Sequence, residues 1–178
     1  VDMLEINVSC PNVSHGGIAF GQNPDCLYDI TKQIKAKAKQ PIIMKLSPNV
    51  TDITEMARAA ESAGSDALSL INTITGMKID IHKRAFALAN KTGGLSGPAI
   101  KPVAVRMVYQ AAQAVKIPII GMGGIANAED AIEFMLAGAT GVAVGAMNFV
   151  NPYTTAEVVK GIEEYMERYH VENLTELI

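Results

Sequence analysis

Cys10 stands where a thiol can do chemistry. It lies in Asn7-Val8-Ser9-Cys10-Pro11-Asn12, just beyond an apolar run, and Pro11 fixes the direction in which the chain departs. A thiol of ordinary pKa, about 8.5, suffices to remove a carbon-bound proton if the site is closed from water and a nearby hydroxyl relays the proton. The alternative is a small buried apolar residue, and Cys26, inside a helical pattern, is read that way. Lys45 ends the run Ile42-Ile43-Met44-Lys45-Leu46, otherwise wholly apolar. An ammonium at that position is costly to desolvate without an anion beside it. Otherwise it snorkels to solvent.

Asn7, Asn12 and Asn72 bring amides to the ends of neighbouring apolar runs, and each amide donates and accepts, which suits a planar ligand with alternating C=O and N–H groups. Asparagine is also a routine turn residue. Gly121-Met122-Gly123-Gly124 and Gly145-Ala146 follow two further apolar runs. Unobstructed backbone N–H groups beside a helix N-terminus make an anion site, whereas the plainer reading is glycine for a tight turn. Their pairing on the last two strands favours a phosphate. The spacing lacks the third glycine of a dinucleotide-binding loop. The stretch from Pro11 to Gly21 is placed to close as a lid, and His15, His82 and His170 show no ligand spacing.

These residues need a frame, and the sequence supplies one. Met3–Val8, Pro41–Leu46, Asp66–Ile71, Ile117–Gly121 and Gly141–Gly145 read as buried parallel strands. Helices are expected from Asn23-Pro24-Asp25 to Lys39, from the Thr51-Asp52 cap to Ala63, from Pro98 to Val115, from Asn127 to Leu136, and from Thr154 to Tyr169. An internal echo supports a repeated βα unit: Glu61 to Leu68 matches Met135 to Val142 in form, with a helix stop at glycine and then a strand start. Polar residues or glycines gather at the end of every strand. That distribution favours an α/β barrel over an open doubly wound sheet, which concentrates chemistry at one switch point. A complete (β/α)8 barrel takes about 250 residues and eight strands. The chain therefore reads as the C-terminal five βα units of a TIM barrel, one partial domain over 1–178 with the N-terminal strands missing. The segment Thr73 to Pro98 is long for a βα loop and suggests a functional excursion over the barrel mouth.

The composition narrows the function. A net charge of -3 without a basic run argues against nucleic acid, and no apolar stretch approaches the roughly 20 residues that span a bilayer. Two cysteines outside any C-x-x-C pair offer neither a disulfide framework nor a metal site, and the expected location is cytoplasmic. The nine methionines are read as core filling.

Asn7 to Asn12, Lys45-Leu46-Ser47-Pro48-Asn49-Val50, Ile71-Asn72-Thr73, Thr92 to Pro102 and Ile120 to Gly124, in this order and spacing, resemble the class 1 dihydroorotate dehydrogenases. The pattern is most similar to the class 1B catalytic subunit, and the resemblance runs through nearly the whole chain. It implies an FMN-binding TIM barrel that oxidises dihydroorotate to orotate in pyrimidine biosynthesis. It also implies a partner subunit with FAD and a 2Fe-2S cluster that passes electrons to NAD, in a homodimer or heterotetramer. By the same resemblance, Cys10 is the base that takes the C5 proton. Asn7 contacts flavin and substrate, Asn12, Asn72 and Thr73 bind substrate, and Lys45 faces the flavin ring and stabilises its reduced anionic form. Ile71, Gly97, Gly123, Gly124, Gly145 and Ala146 line the FMN site, the last four around its phosphate. A dihydropyrimidine dehydrogenase-like barrel shares the Asn-x-Ser-Cys-Pro start and Asn49 to Ile53, and a non-catalytic fragment is the other alternative.

Overall fold

The structure, a computed structural model, describes residues 1–9 and 21–178. Cys10, Asn12, His15 and nearly all of the expected lid lie outside the described residues. Along the chain the elements are β1 (Leu4–Asn7), α1 (Pro24–Lys35), β2 (Ile42–Lys45), α2 (Ile53–Ser62), β3 (Ala67–Leu70), the short strands β4 (Ile74–Met77), β5 (Ile79–Asp80), β6 (Ala85–Phe86) and β7 (Thr92–Leu95), α3 (Lys101–Ala112), β8 (Ile119–Met122), α4 (Ala128–Leu136), β9 (Gly141–Ala143) and α5 (Thr154–Tyr169).

All five expected strands form, and they pair in the sheet order β1-β2-β3-β8-β9, every pair parallel. Sequential order without a reversal is what successive βα units produce in an arc of a barrel. An open doubly wound sheet would show a switch point.

The pleat divides the strand residues. Ile42, Met44, Leu68, Leu70 and Ile119 alternate onto the helix side, where they are fully or nearly fully buried in one core with Leu27, Met56, Ala104, Val108 and Phe134. Gly121 belongs to this side because a Cβ there would stand 2.6 Å from the Phe134 ring. Glu5, Asn7, Lys45, Ser69, Met122 and Ala143 share the opposite face through the same register.

The helices begin where the caps require. Asn23 accepts from the Cys26 N–H, Asp52 from the Thr54 N–H and Asn127 from the Asp130 N–H. α1 stops at Lys35 rather than Lys39, because the chain turns back at Ala36 to Ala38 through two bonds to the Ile34 carbonyl in order to enter β2. α3 starts later than expected. Pro98–Ile100 forms a separate 3₁₀ turn, and Pro102 sits in the first turn of the α-helix, where its missing N–H costs nothing. Asp66 stays outside β3, its carboxylate accepting from the Ile42 N–H at 2.7 Å and pairing with Lys35. The excursion from Thr73 to Pro98 has structure of its own, two antiparallel ribbons pairing β4 with β7 and β5 with β6.

Candidate functional site

The strand ends open on a cleft of about 520 Å³, a size suited to a small-molecule or cofactor site. Lys45, Ile71, Asn72, Thr73, Gly97, Gly123, Gly124, Gly145 and Ala146 all line it. Residues drawn from the ends of β2, β3, β8 and β9 and from the approach to α3 thus share one space, although they span a hundred positions of sequence. Asn7 joins them one step back through its bond to Asn72. Cys10 and Asn12 follow β1 directly but lie outside the described residues.

An amide network ties the first strand to the third. The Asn7 side-chain oxygen accepts from the Ser9 N–H and Oγ, both at 3.1 Å, and from Asn72 Nδ2 at 3.2 Å. Asn72 Nδ2 also donates to Ser9 Oγ at 2.6 Å, and Asn72 Oδ1 accepts from the Thr73 N–H. With its oxygen engaged three times, Asn7 keeps an NH₂ that donates to none of the described residues.

Thr73 is held from outside the cleft. Asn49 Nδ2 donates to the Thr73 carbonyl at 3.1 Å while Asn49 Oδ1 accepts from the Thr75 N–H at 2.9 Å. One side chain therefore clamps the backbone on both sides of Ile74. Ser47 Oγ in turn accepts from the Asn49 N–H and Nδ2. The ribbon packs so closely on Thr73 that a Cβ at Gly94 would lie 2.1 Å from Thr73 Oγ1.

The glycines divide into two kinds. Gly123 and Gly124 have φ of +124° and +85°, and a Cβ on Gly124 would stand 2.8 Å from the Gly97 carbonyl and 3.0 Å from the Lys101 nitrogen. The turn itself demands glycine there. Gly145 is different, since a Cβ there would meet nothing within 4 Å, so the chain's own packing does not explain its lack of a side chain. Gly145 lines the cleft, and a Cβ there would enter open space.

At the N-terminus of α4, which the sequence offered as the anion-binding end, two backbone donors are already engaged. The Ala126 N–H donates to Asp130 Oδ2 and the Asp130 N–H donates to Asn127. Further donors follow Gly145, where Ala146–Phe149 form a 3₁₀ turn whose leading N–H groups lack acceptors within the turn.

Asp130 also binds Lys101 at 2.7 Å, and Glu133 binds the same ammonium at 2.6 Å. The Asp130 hydrogen bond, and then that of Glu133, raise the Lys101 pKa above its ordinary 10.5. Because Lys101 packs on Gly124, this cluster fixes the glycine turn rather than facing the cleft. Lys45 also has a carboxylate partner, with Nζ 3.1 Å from Glu5 Oε1.

Three residues escaped the sequence reading. Glu5 was absorbed into an apolar run, although Glu5, Asn7 and Ser9 at a spacing of two already mark one polar face. Asn49 was visible only as part of a motif, and nothing in the sequence singled out Asp130. Among the described residues no cluster of His, Cys, Asp and Glu could hold a metal ion, and no helix is long and apolar enough to cross a membrane.

A family model described as dihydroorotate dehydrogenase matches residues 1–166. The dihydroorotate dehydrogenase B (NAD(+)) catalytic subunit of Lachnoclostridium phytofermentans is 68% identical over all of this chain, which covers 59% of that protein. Its counterpart from Alkaliphilus oremlandii is 63% identical, again over all of this chain and 59% of the relative. The chain thus spans about three fifths of the length of the relatives it matches. In fold it superimposes on the DHODH of Eimeria tenella, solved in complex with ferulenol, with a TM-score of 0.83 at 24% identity over 99% of this chain and 53% of that one. With a family match running from the first strand into the last helix, this chain belongs to the dihydroorotate dehydrogenase family.

Proposed function

We propose that the intact protein oxidises dihydroorotate to orotate on FMN, as the catalytic subunit of an NAD-linked enzyme of pyrimidine biosynthesis. The observation that carries this reading is the convergence of Lys45, Asn72, Thr73 and both glycine turns on one cleft in a chain of this family. The cleft suits FMN. Its wall at Gly145 keeps open the space a side chain would fill, and the turn that follows supplies backbone donors to a phosphate. Gly123, Gly124, Gly145 and Ala146 hold the phosphate in this reading, while Asn7, Lys45, Ile71 and Gly97 bound the ring. FMN, when bound, supplies the two-electron acceptor.

The chain's own residues bind, orient and move a proton. Asn7, Asn72 and Thr73, with Asn12, present donors and acceptors to the flat substrate. The bonds from Ser9 and Asn49 fix two of these groups before the ligand arrives, which lowers the ordering cost of binding. Cys10, two residues beyond the Val8 that ends the buried run, takes the C5 proton as general base. Electrons leave for NAD through a partner subunit carrying FAD and a 2Fe-2S cluster, and the relatives' designation as a catalytic subunit supports a partner. The exposed Met77, Ile81 and Phe86 on the excursion support an assembly, homodimer or heterotetramer.

The test is turnover. The purified intact protein should carry flavin absorbance and oxidise dihydroorotate in preference to dihydrouracil, and Cys10→Ser should lower that rate by orders of magnitude with FMN still bound. Colourless protein without turnover, or full activity in Cys10→Ser, refutes the reading or the base respectively.

A further inference from the structure

The Lys45 ammonium, which the family reading turns toward the flavin, is engaged elsewhere in the structure. Glu5 and Lys45 project from adjacent strands onto the interior face, and both line the cleft. Their side chains keep only 38% and 23% of their exposure. A carboxylate at the rim of a cleft attracts a cation within reach, and Lys45 is the cation the strand register places beside it. The converse matters equally. Lys45 carries one compact charge on a flexible stem, so whatever Glu5 takes of its field is withheld from a ligand above.

No other carboxylate competes among the described residues. Lys45's register partner on β3 is Ser69, fully buried, with a hydroxyl that makes no hydrogen bond in the structure. Asn7, two residues beyond Glu5 on the same face, has its amide oxygen committed to Ser9 and Asn72. The Lys45 charge is therefore divided between Glu5 below and the ligand above.

We propose that Glu5 is a positioning residue for Lys45, holding its charge back from the cleft so that the site favours reduced over oxidised FMN less than Lys45 alone would make it. The inference rests on the FMN reading above. The oxidised ring is neutral and little affected by the division, whereas the reduced ring is anionic and feels all of it. A residue serving packing alone would alter both affinities together.

The measurement is the affinity of the intact protein for oxidised and for anaerobically reduced FMN, with the flavin midpoint potential as its independent readout. Glu5→Gln should raise the ratio of reduced to oxidised affinity roughly tenfold, equivalent to about 30 mV upward for a two-electron couple. Glu5→Met, neutral and of similar volume, should reproduce that shift and serves where Glu5→Gln fails to fold. Glu5→Asp keeps the charge and should hold the ratio within about twofold of the parent. An unmoved ratio in the neutral variants, or an equal shift in Glu5→Asp, overturns the proposal. If the parent protein binds no FMN, the functional reading fails and this inference with it. If the parent binds FMN and turns over dihydroorotate while the ratio stays fixed, this inference alone is lost.

Discussion

Alanine at Gly145 and alanine at Gly124 should fail in opposite ways, and the contrast tests where the phosphate sits. At Gly124 the backbone has φ of +85° and the new Cβ would lie 2.8 Å from the Gly97 carbonyl and 3.0 Å from the Lys101 nitrogen. Left-handed backbone with a side chain costs about 1–2 kcal/mol, and overpacking adds about 1–3 kcal/mol. The sum, about 2–5 kcal/mol, should lower the melting temperature by on the order of 10 °C, at about 2–4 °C per kcal/mol for a chain of this size. At Gly145 nothing lies within 4 Å of the added carbon, so folding should be nearly unaffected. The carbon would instead occupy space open to the ligand. Displacing one hydrogen bond to a charged phosphate costs about 1.5–3 kcal/mol, roughly ten- to a hundredfold in Kd. Thermal melts without FMN and FMN titrations of both variants give the four numbers required. Unchanged FMN affinity in Gly145→Ala refutes the assignment of the phosphate to this wall, whatever Gly124→Ala does.

Further outcomes follow from individual contacts. Asn49→Ala removes both bonds that clamp the backbone around Ile74. It should raise KM for dihydroorotate by roughly tenfold, about 1.4 kcal/mol, with FMN retained, and an unchanged KM shows that Asn49 does not position Thr73. Asp130→Ala strands Lys101 with Glu133 alone and frees the Ala126 N–H. A loss of about 2–4 kcal/mol in urea unfolding is expected, discounted from the fully buried case because Lys101 is partly exposed, and a loss below 1 kcal/mol counts against it. Acid stability should depend on Asp66, whose pKa lies below its ordinary 3.8 through the hydrogen bond from Lys35 and then that from the Ile42 N–H. A lowered folded pKa gives stability that is complete above the unfolded value and lost as pH falls through the folded one. Asp66→Asn should therefore flatten the unfolding free energy below pH 4, and an unaltered acid limb rules out that contribution. Lys101 works at the other extreme: its raised pKa confers stability held below pH 10.5 and lost as pH climbs through the folded value, so Lys101→Met should blunt the alkaline limb of the same unfolding curve.

The frame was legible because it depends on signals the chain writes locally. Four- to six-residue apolar runs alternate with capped helices, and Asn23, Asp52 and Asn127 accept the very N–H bonds their positions suggest. Helix ends were less legible, since α1 terminates at Lys35 without glycine, under the demand that Ile42 meet Leu4 across the sheet. The ribbons between Thr73 and Pro98 could not be read from alternation, being two to four residues long and glycine-rich, and closely packed on Thr73 at Gly94.

The site was legible in its positions more than in its electrostatics. Strand-end residues are brought together by the register, which follows from apolar pattern alone, so naming Lys45, Asn72 and the glycines required no knowledge of contacts. Pairing requires more. Whether Lys45 faces an anion of the protein or of a ligand depends on the parity of β1 relative to β2, which places Glu5 and Lys45 on the same face two register steps apart. A one-residue slip of β1 would turn Glu5 outward into the helices and leave Lys45 unpaired. The capping before α4 was hidden for a related reason. Helix polarity is general, but that Asp130 accepts from the Ala126 N–H as well as pairing with Lys101 depends on contacts from outside the helix. Position follows from pattern, whereas charge follows from which neighbour arrives first, and the neighbours of both Lys45, in the cleft, and the turn before α4, behind it, are carboxylates of the chain itself.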